Sequence, residues 1–163
     1  ILQEYLNPES DDKEEVSLSD GGLFREGDKV MQIRNNYEKD VFNGDIGQVT
    51  YITGKIVQVC YPDRPEGDFV TYEGNEVEEL QLAYAMSVHK SQGSEYPYVI
   101  LCMVPSHYIM LQRNLLYTAV TRAKEQVLVV GSSRAIRTAV ENDKMRRRYS
   151  LLAERLQDSS EVF

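Results

Sequence analysis

The sequence is poor in the parts that a self-contained enzyme needs. No GxxxxGK[ST] phosphate loop occurs: Gly54-Lys55 is followed by Ile56 and lacks the first glycine. No strand-like run ends in an Asp-Glu pair that could hold Mg²⁺, and no Ser/His/Asp or Cys/His set has recognisable spacing. Two histidines are too few for a metal site, so no metal-ligating residue is assigned. No apolar run approaches the roughly 18–20 residues that span a bilayer, the longest being the strand-sized Tyr98 to Pro105. The two cysteines, Cys60 and Cys102, sit in apolar strand-like runs without a CxxC or a partnering His. They are expected to be buried free thiols of a reducing cytoplasm.

What is present is enough for a core. Hydrophobic residues make up 42% and charged residues 27% of 163, which excludes a wholly disordered chain. Net charge is −8, from 18 basic and 26 acidic residues, which argues weakly against a simple basic nucleic-acid module. The charge is uneven, however. Glu4, Glu9, Asp11, Asp12, Glu14, Glu15 and Asp20 face Lys13 alone at the start, whereas Arg134 to Arg155 is mainly basic. The chain opens on Ile1 without a signal-like segment and is expected to be a piece of a longer polypeptide.

Along the chain, Ile1 to Leu6 suggests a short helix and Asn7 to Gly22 an acidic linker or mobile loop. Asp28 to Arg34 alternates like a strand. From Asn35 to about Leu80 the pattern is all-β, with a tight turn at Asn43-Gly44 and a glycine suited to a bulge at Gly47. Strands are expected at Asp45 to Ile52 and Lys55 to Tyr61, joined at Thr53-Gly54, with a third at Asp68 to Tyr72. Short strands and tight turns suggest a small SH3-like barrel. Such a unit is small to stand alone, which favours an insert.

After Leu80 the pattern changes. Tyr98 to Val104 and Val127 to Val130 read as strands buried on both faces. Between them Met110 to Lys124 is helical, with Leu111, Leu115, Leu116, Ala119 and Val120 on one apolar arc and Arg122 near its edge. Another helix begins near Arg134, and Met145, Tyr149, Leu152 and Leu156 are spaced for a last one. This β-α-β pattern with a parallel pair makes the main body α/β.

Two polar clusters flank the apolar strands. Ser87 to Glu95 (SVHKSQGSE) reads either as a solvated loop with a Gly turn or as donors for phosphate oxygens beside a carboxylate for a sugar hydroxyl. Tyr117 to Lys124 (YTAVTRAK) contains Arg122. Its stem either covers the core while the head snorkels or caps the helix, or its guanidinium aims at a phosphate across an interface.

At these clusters the chain resembles a family. YAMSVHKSQGSEYPYVI (Tyr84 to Ile100) resembles motif V, and LLYTAVTRAKEQVLVVG (Leu115 to Gly131) motif VI, of superfamily 1 DNA helicases. GDKVMQIRNNYEKDVFNGDIGQV (Gly27 to Val49) is similar to the RecD-like branch, which includes the exodeoxyribonuclease V alpha subunit. The resemblance runs from about Leu2 to Leu156.

It implies the C-terminal part of the second RecA-like motor domain at residues 1–35 and 80–163, with an SH3-like barrel inserted at 36–79. ATP and Mg²⁺ are the implied cofactors of the whole enzyme, which moves 5′ to 3′ along one strand. The phosphate loop and Mg²⁺-binding acid would lie in a first motor domain outside this chain, so the chain alone should be inactive. Arg122 matches the family's catalytic arginine finger; such fingers are worth roughly 10³–10⁵ in rate in related NTPases. Gly93 and Glu95 match the nucleotide-lining positions, Glu95 near the ribose. Ser87, His89 and Lys90 match the part facing single-stranded DNA, with Ser87 where many members have Thr. The implied partners are single-stranded DNA, the first motor domain, and recombination or nuclease subunits. Tyr51, Tyr61, Phe69 and Tyr72 are assigned to the barrel core rather than to base stacking, and Arg146-Arg147-Arg148 to a solvated helix face. A non-catalytic single-stranded nucleic-acid-binding module and a protein-interaction module remain the competing readings.

Overall fold

The computed structural model describes residues 1–62 and 64–143, which fall into two compact units, Ile1–Glu95 and a second from Tyr96 onward. The expected last helix and the Arg146-Arg147-Arg148 cluster lie outside the described residues.

The first unit is built on antiparallel strands. Helix α1 (Leu2–Leu6) is followed by β1 (Glu15–Ser17), which pairs with β2 (Leu23–Arg25). The segment read as a linker is therefore structured. Val16 is buried against the core, and Asn7 is buried with its side chain fully employed. Acidic, Ser-rich composition hid a strand of three residues that carries a single apolar side chain inward.

The main sheet runs β6-β5-β4-β3-β7, from β3 (Lys29–Gln32), β4 (Ile46–Thr53), β5 (Ile56–Cys60), β6 (Phe69–Glu73) and β7 (Leu80–Leu82). Both β3 and β7 belong to it, so the sheet reaches beyond residues 36–79 on either side. The hairpin between β4 and β5 turns at Gly54-Lys55, one residue later than expected. Gly54 has φ +57° and Lys55 no positive φ, as a type II′ turn requires.

The bulge also falls elsewhere. The β4–β5 register shifts between Val49 and Tyr51, and this slip lets Val49 and Ile52, three apart, both face the core. Gly47 answers a different need. A Cβ there would stand 2.4 Å from Val59 Cγ1 and 2.8 Å from the Cys60 carbonyl oxygen.

The core of this unit gathers alternate residues of β5 and β6, Val57 and Val59, Val70 and Tyr72, together with Val49 and Ile52 of β4. Each such burial is worth about 1.5–3 kcal/mol. The four aromatic residues divide. Tyr61 and Tyr72 are buried, with hydroxyls 2.7 Å apart and burial pushing the Tyr61 phenol up to about 12. Tyr51 and Phe69 are exposed, on the outer face of their strands.

The second unit holds a parallel pair, β8 (Tyr96–Met103) and β9 (Ala123–Gly131), joined through α2 (Arg113–Val120) and followed by α3 (Ser133–Glu141). Ser132 caps α3, its hydroxyl accepting from the Arg134 amide at 3.2 Å. Met103, Leu111, Ala135 and Ala139 form the core on one side. The strands are not buried on both faces: Tyr98, Ile100, Leu128 and Val130 are each at least half exposed. Cys102 is accordingly exposed and Cys60 half-buried; both thiols are free. Apolar composition fixed the strand type but not what covers it. Among the described residues no helix is long and apolar enough to cross a membrane.

Candidate functional site

In the first unit the site-bearing segment leaves β7 and is pinned at its start. The Ala83 amide donates to the Lys29 carbonyl at 2.7 Å, and the Tyr84 hydroxyl to Asp28 Oδ1 at 2.7 Å. Asp28 is fully buried and collects three further donors. Asn7 Nδ2 shares Oδ1 at 2.7 Å, while Gln3 Nε2 at 2.6 Å and the Arg25 amide at 2.9 Å reach Oδ2. Burial and this carboxylate push the Tyr84 phenol up to about 12.

From Ser87 the chain folds into successive turns. The Lys90 amide donates to the Ser87 carbonyl at 3.0 Å, and the buried Ser91 hydroxyl to the Val88 carbonyl at 2.8 Å. Gly93 makes the exit turn with φ +88°, a conformation that suits glycine. Ser87, His89, Lys90 and Glu95 are all exposed. Ser87 and Lys90 are brought together, and Lys90 Nζ donates to Gln81 Oε1 of β7. Both line a cavity of about 320 Å³, open to solvent, whose apolar wall includes Met31, Leu82 and Ala83.

In the second unit Arg122 follows the last turn of α2. Its Nε donates to the Thr118 carbonyl at 3.2 Å and its half-buried guanidinium lies 3.4 Å from Thr121 Oγ1. The head thus sits on the carbonyl end of its own helix, where a cation is favoured. The Tyr96 amide donates to the Arg122 carbonyl at 2.8 Å, and Tyr96 stands opposite Ala123 in the parallel register. Gly93 and Glu95 belong to the first unit and Arg122 to the second. Among the described residues no three His, Cys, Asp or Glu side chains gather as metal ligands.

Sequence reasoning missed Asp28, Tyr84, Gln81 and Met31. Asp28 left a readable trace, an acid just before a strand whose second and third residues, Val30 and Met31, are apolar and buried. Nothing local marks the other three.

Comparison with known proteins divides the chain elsewhere, the second match beginning within the first unit. Residues 1–61 match the model of the ATP-dependent RecD-like DNA helicase SH3 domain, and residues 82–130 that of the UvrD-like helicase C-terminal domain. The ATP-dependent RecD2 DNA helicase of Deinococcus radiodurans is 38% identical over 131 residues, covering 80% of this chain and 18% of the relative. The RecBCD enzyme subunit RecD of Mycolicibacterium smegmatis is 34% identical over 128 residues, covering 77% of this chain and 22% of that protein. Among solved structures, the Bacteroides Pif1 helicase in complex with ADP-AlF3 and single-stranded DNA superposes with a TM-score of 0.57. It covers 99% of this chain and 42% of that one, at 20% identity, a likeness of fold. With two helicase domain models matched in order and relatives above 30% identity on both, the chain belongs to the RecD-like superfamily 1 DNA helicases, spanning about a fifth of the length of these relatives.

Proposed function

We propose that the chain is the C-terminal part of the second RecA-like motor domain of an ATP-dependent, 5′-to-3′ DNA helicase, with an SH3-like barrel inserted in it. The pairing of Lys29–Gln32 and Leu80–Leu82 into the main sheet favours a barrel somewhat wider than 36–79. The first motor domain would supply the phosphate loop and the Mg²⁺ ligands. The protein would work in the cytoplasm on single-stranded DNA, alone or with recombination or nuclease subunits.

The observation that carries this reading is the hydrogen bond from the Tyr96 amide to the Arg122 carbonyl. It closes the parallel register at the end where the motif V segment enters β8 and the motif VI arginine leaves α2. Each unit carries residues suited to a nucleotide. In the first the Gly93 turn leaves open space where a side chain would stand, and Glu95 is an exposed carboxylate; in the second Arg122 carries a guanidinium. Bound ATP supplies the phosphoryl group to be transferred. Arg122 exchanges its helix carbonyl for the γ-phosphate oxygens and stabilises the charge that develops on them. Ser87, His89 and Lys90 hold the DNA backbone, and domain closure and opening shift that grip along the strand.

The contact between Arg122 Nε and the Thr118 carbonyl favours a second reading, a residue that only caps α2. Arg122→Ala in the full-length protein separates the two. A finger predicts at least a hundredfold loss of ATP turnover, little change in nucleotide affinity, and poor rescue by Arg122→Lys. A cap predicts a lower melting temperature with turnover per folded molecule nearly intact, and that result would refute the finger.

A further inference from the structure

We infer that the cavity between β7 and the turn carrying Ser87 and Lys90 is a subsite for one nucleobase of a bound single strand. This rests on the reading of that turn as DNA-facing, and adds to it a contact with a base rather than with the backbone.

The lining is of two kinds. Lys90 and Ser87 carry groups suited to phosphate, and Gln81 adds an amide. The remaining residues are apolar. Met31 and Ala83 are 3% and 4% exposed, Leu82 is half-buried, and the exposed Ala85 lies along the wall. An apolar recess gives nothing to a phosphate, but it matches the face of a flat heterocycle.

The size is suitable as well. At about 320 Å³ the recess lies at the lower end of small-ligand pockets, roughly 300–1,000 Å³. A base also needs polar partners for its edge. Gln81 Oε1 is taken by Lys90, which leaves the Gln81 Nε2 donor for it. The backbone amides of Ala85 and Ser87 make no hydrogen bond among the described residues.

The walls are fixed before any ligand arrives. Leu82 is paired with Val30, Ala83 is bonded to Lys29, and Tyr84 is held by buried Asp28. Little ordering is left to oppose binding.

The test uses the full-length protein and labelled oligothymidine strands, each with one abasic position moved along the footprint. One position should weaken binding by about 5- to 150-fold, the range found for loss of a stacked base. Ala85→Leu, which fills the recess from an exposed position, should bring the intact strand down to the abasic one and flatten the profile. Melting temperature and salt dependence should hold. Lys90→Ala should weaken all strands alike and lower the salt slope by about one. A flat profile in a wild-type protein that still responds to Lys90→Ala overturns the base subsite alone, as does a profile that survives Ala85→Leu. Lys90→Ala without effect overturns the DNA-facing reading, and the subsite with it.

Discussion

Replacing Asp28 by Asn tests whether the buried carboxylate holds the first unit together. The substitution keeps volume, so no cavity contributes, and the change lies in hydrogen bonding and charge. Asp28 now satisfies four donors with two oxygens. An amide can keep both contacts of Oδ2, from Gln3 and the Arg25 amide, if its oxygen takes that place. Its nitrogen then faces Tyr84 and Asn7. The Tyr84 hydroxyl can reverse and accept. Asn7 cannot reverse, because its Oδ1 accepts from Lys13 Nζ and its Nδ2 also serves the Glu26 carbonyl. One buried donor is left facing another, at about 1–3 kcal/mol, and three bonds lose their charge assistance. The lower cost of burying a neutral group offsets part of this, for a net loss of about 2–4 kcal/mol. Urea unfolding followed by tyrosine fluorescence should show a midpoint lower by about 1–3 M at an unchanged slope. A change below about 0.5 kcal/mol would show that the cluster is solvated or rearranged, and would refute the geometry on which this rests.

Tyr84 gives a pH signature. Its folded phenol is raised to about 12 from an ordinary value of 10, so its contribution is complete below pH 10 and disappears as pH rises through 12; Tyr61 loses stability over the same range, so Tyr84→Phe should make that part of the stability curve shallower without flattening it. Gly131→Ala should unfold the second unit, since at φ +142° the added Cβ would lie 1.9 Å from the Met103 carbonyl oxygen; a melting temperature within a few degrees of wild type would contradict this. Gly47→Ala should cost about 1–3 kcal/mol by pushing β5 from β4, seen as a lower thermal midpoint. The 163-residue chain alone should show no ATPase activity, and turnover lost on Arg122→Ala in a pure preparation would count against the half-site.

Much of the fold was legible because its signals are local. Alternation in Val57-Gln58-Val59 and the apolar runs of β8 and β9 each state a strand, and Gly54 states a turn. What escaped depends on partners far away in sequence. β1 has one inward apolar side chain, and β7 is three residues long; each exists because a neighbouring strand offers it a ladder. The bulge was misplaced because composition shows where a glycine is allowed, whereas the register of both strands decides where the extra residue falls. The polar clusters were legible through their density and family order. The recess beside them was not, since Met31 comes from a strand some fifty residues earlier.

The order of the main sheet also bears on the time course of folding. β4, β5 and β6 follow one another in sequence and in space, so they close short loops and can form early. β7 is different: among the described residues it pairs only with β3, tying residue 82 back to residue 30, at one outer edge of the sheet. That closure carries a larger entropic cost for three residues of ladder, so it should form late and open before β4, β5 and β6. Gln81 and Leu82 lie on this edge, and the segment bearing Ser87, His89 and Lys90 hangs from it. In amide exchange, β7 and the turns after it should lose protection through local openings that leave β4, β5 and β6 closed. The segment proposed to face DNA is therefore ordered in the ground state, as the recess requires, and leaves that state only in brief local openings that spare the rest of the sheet.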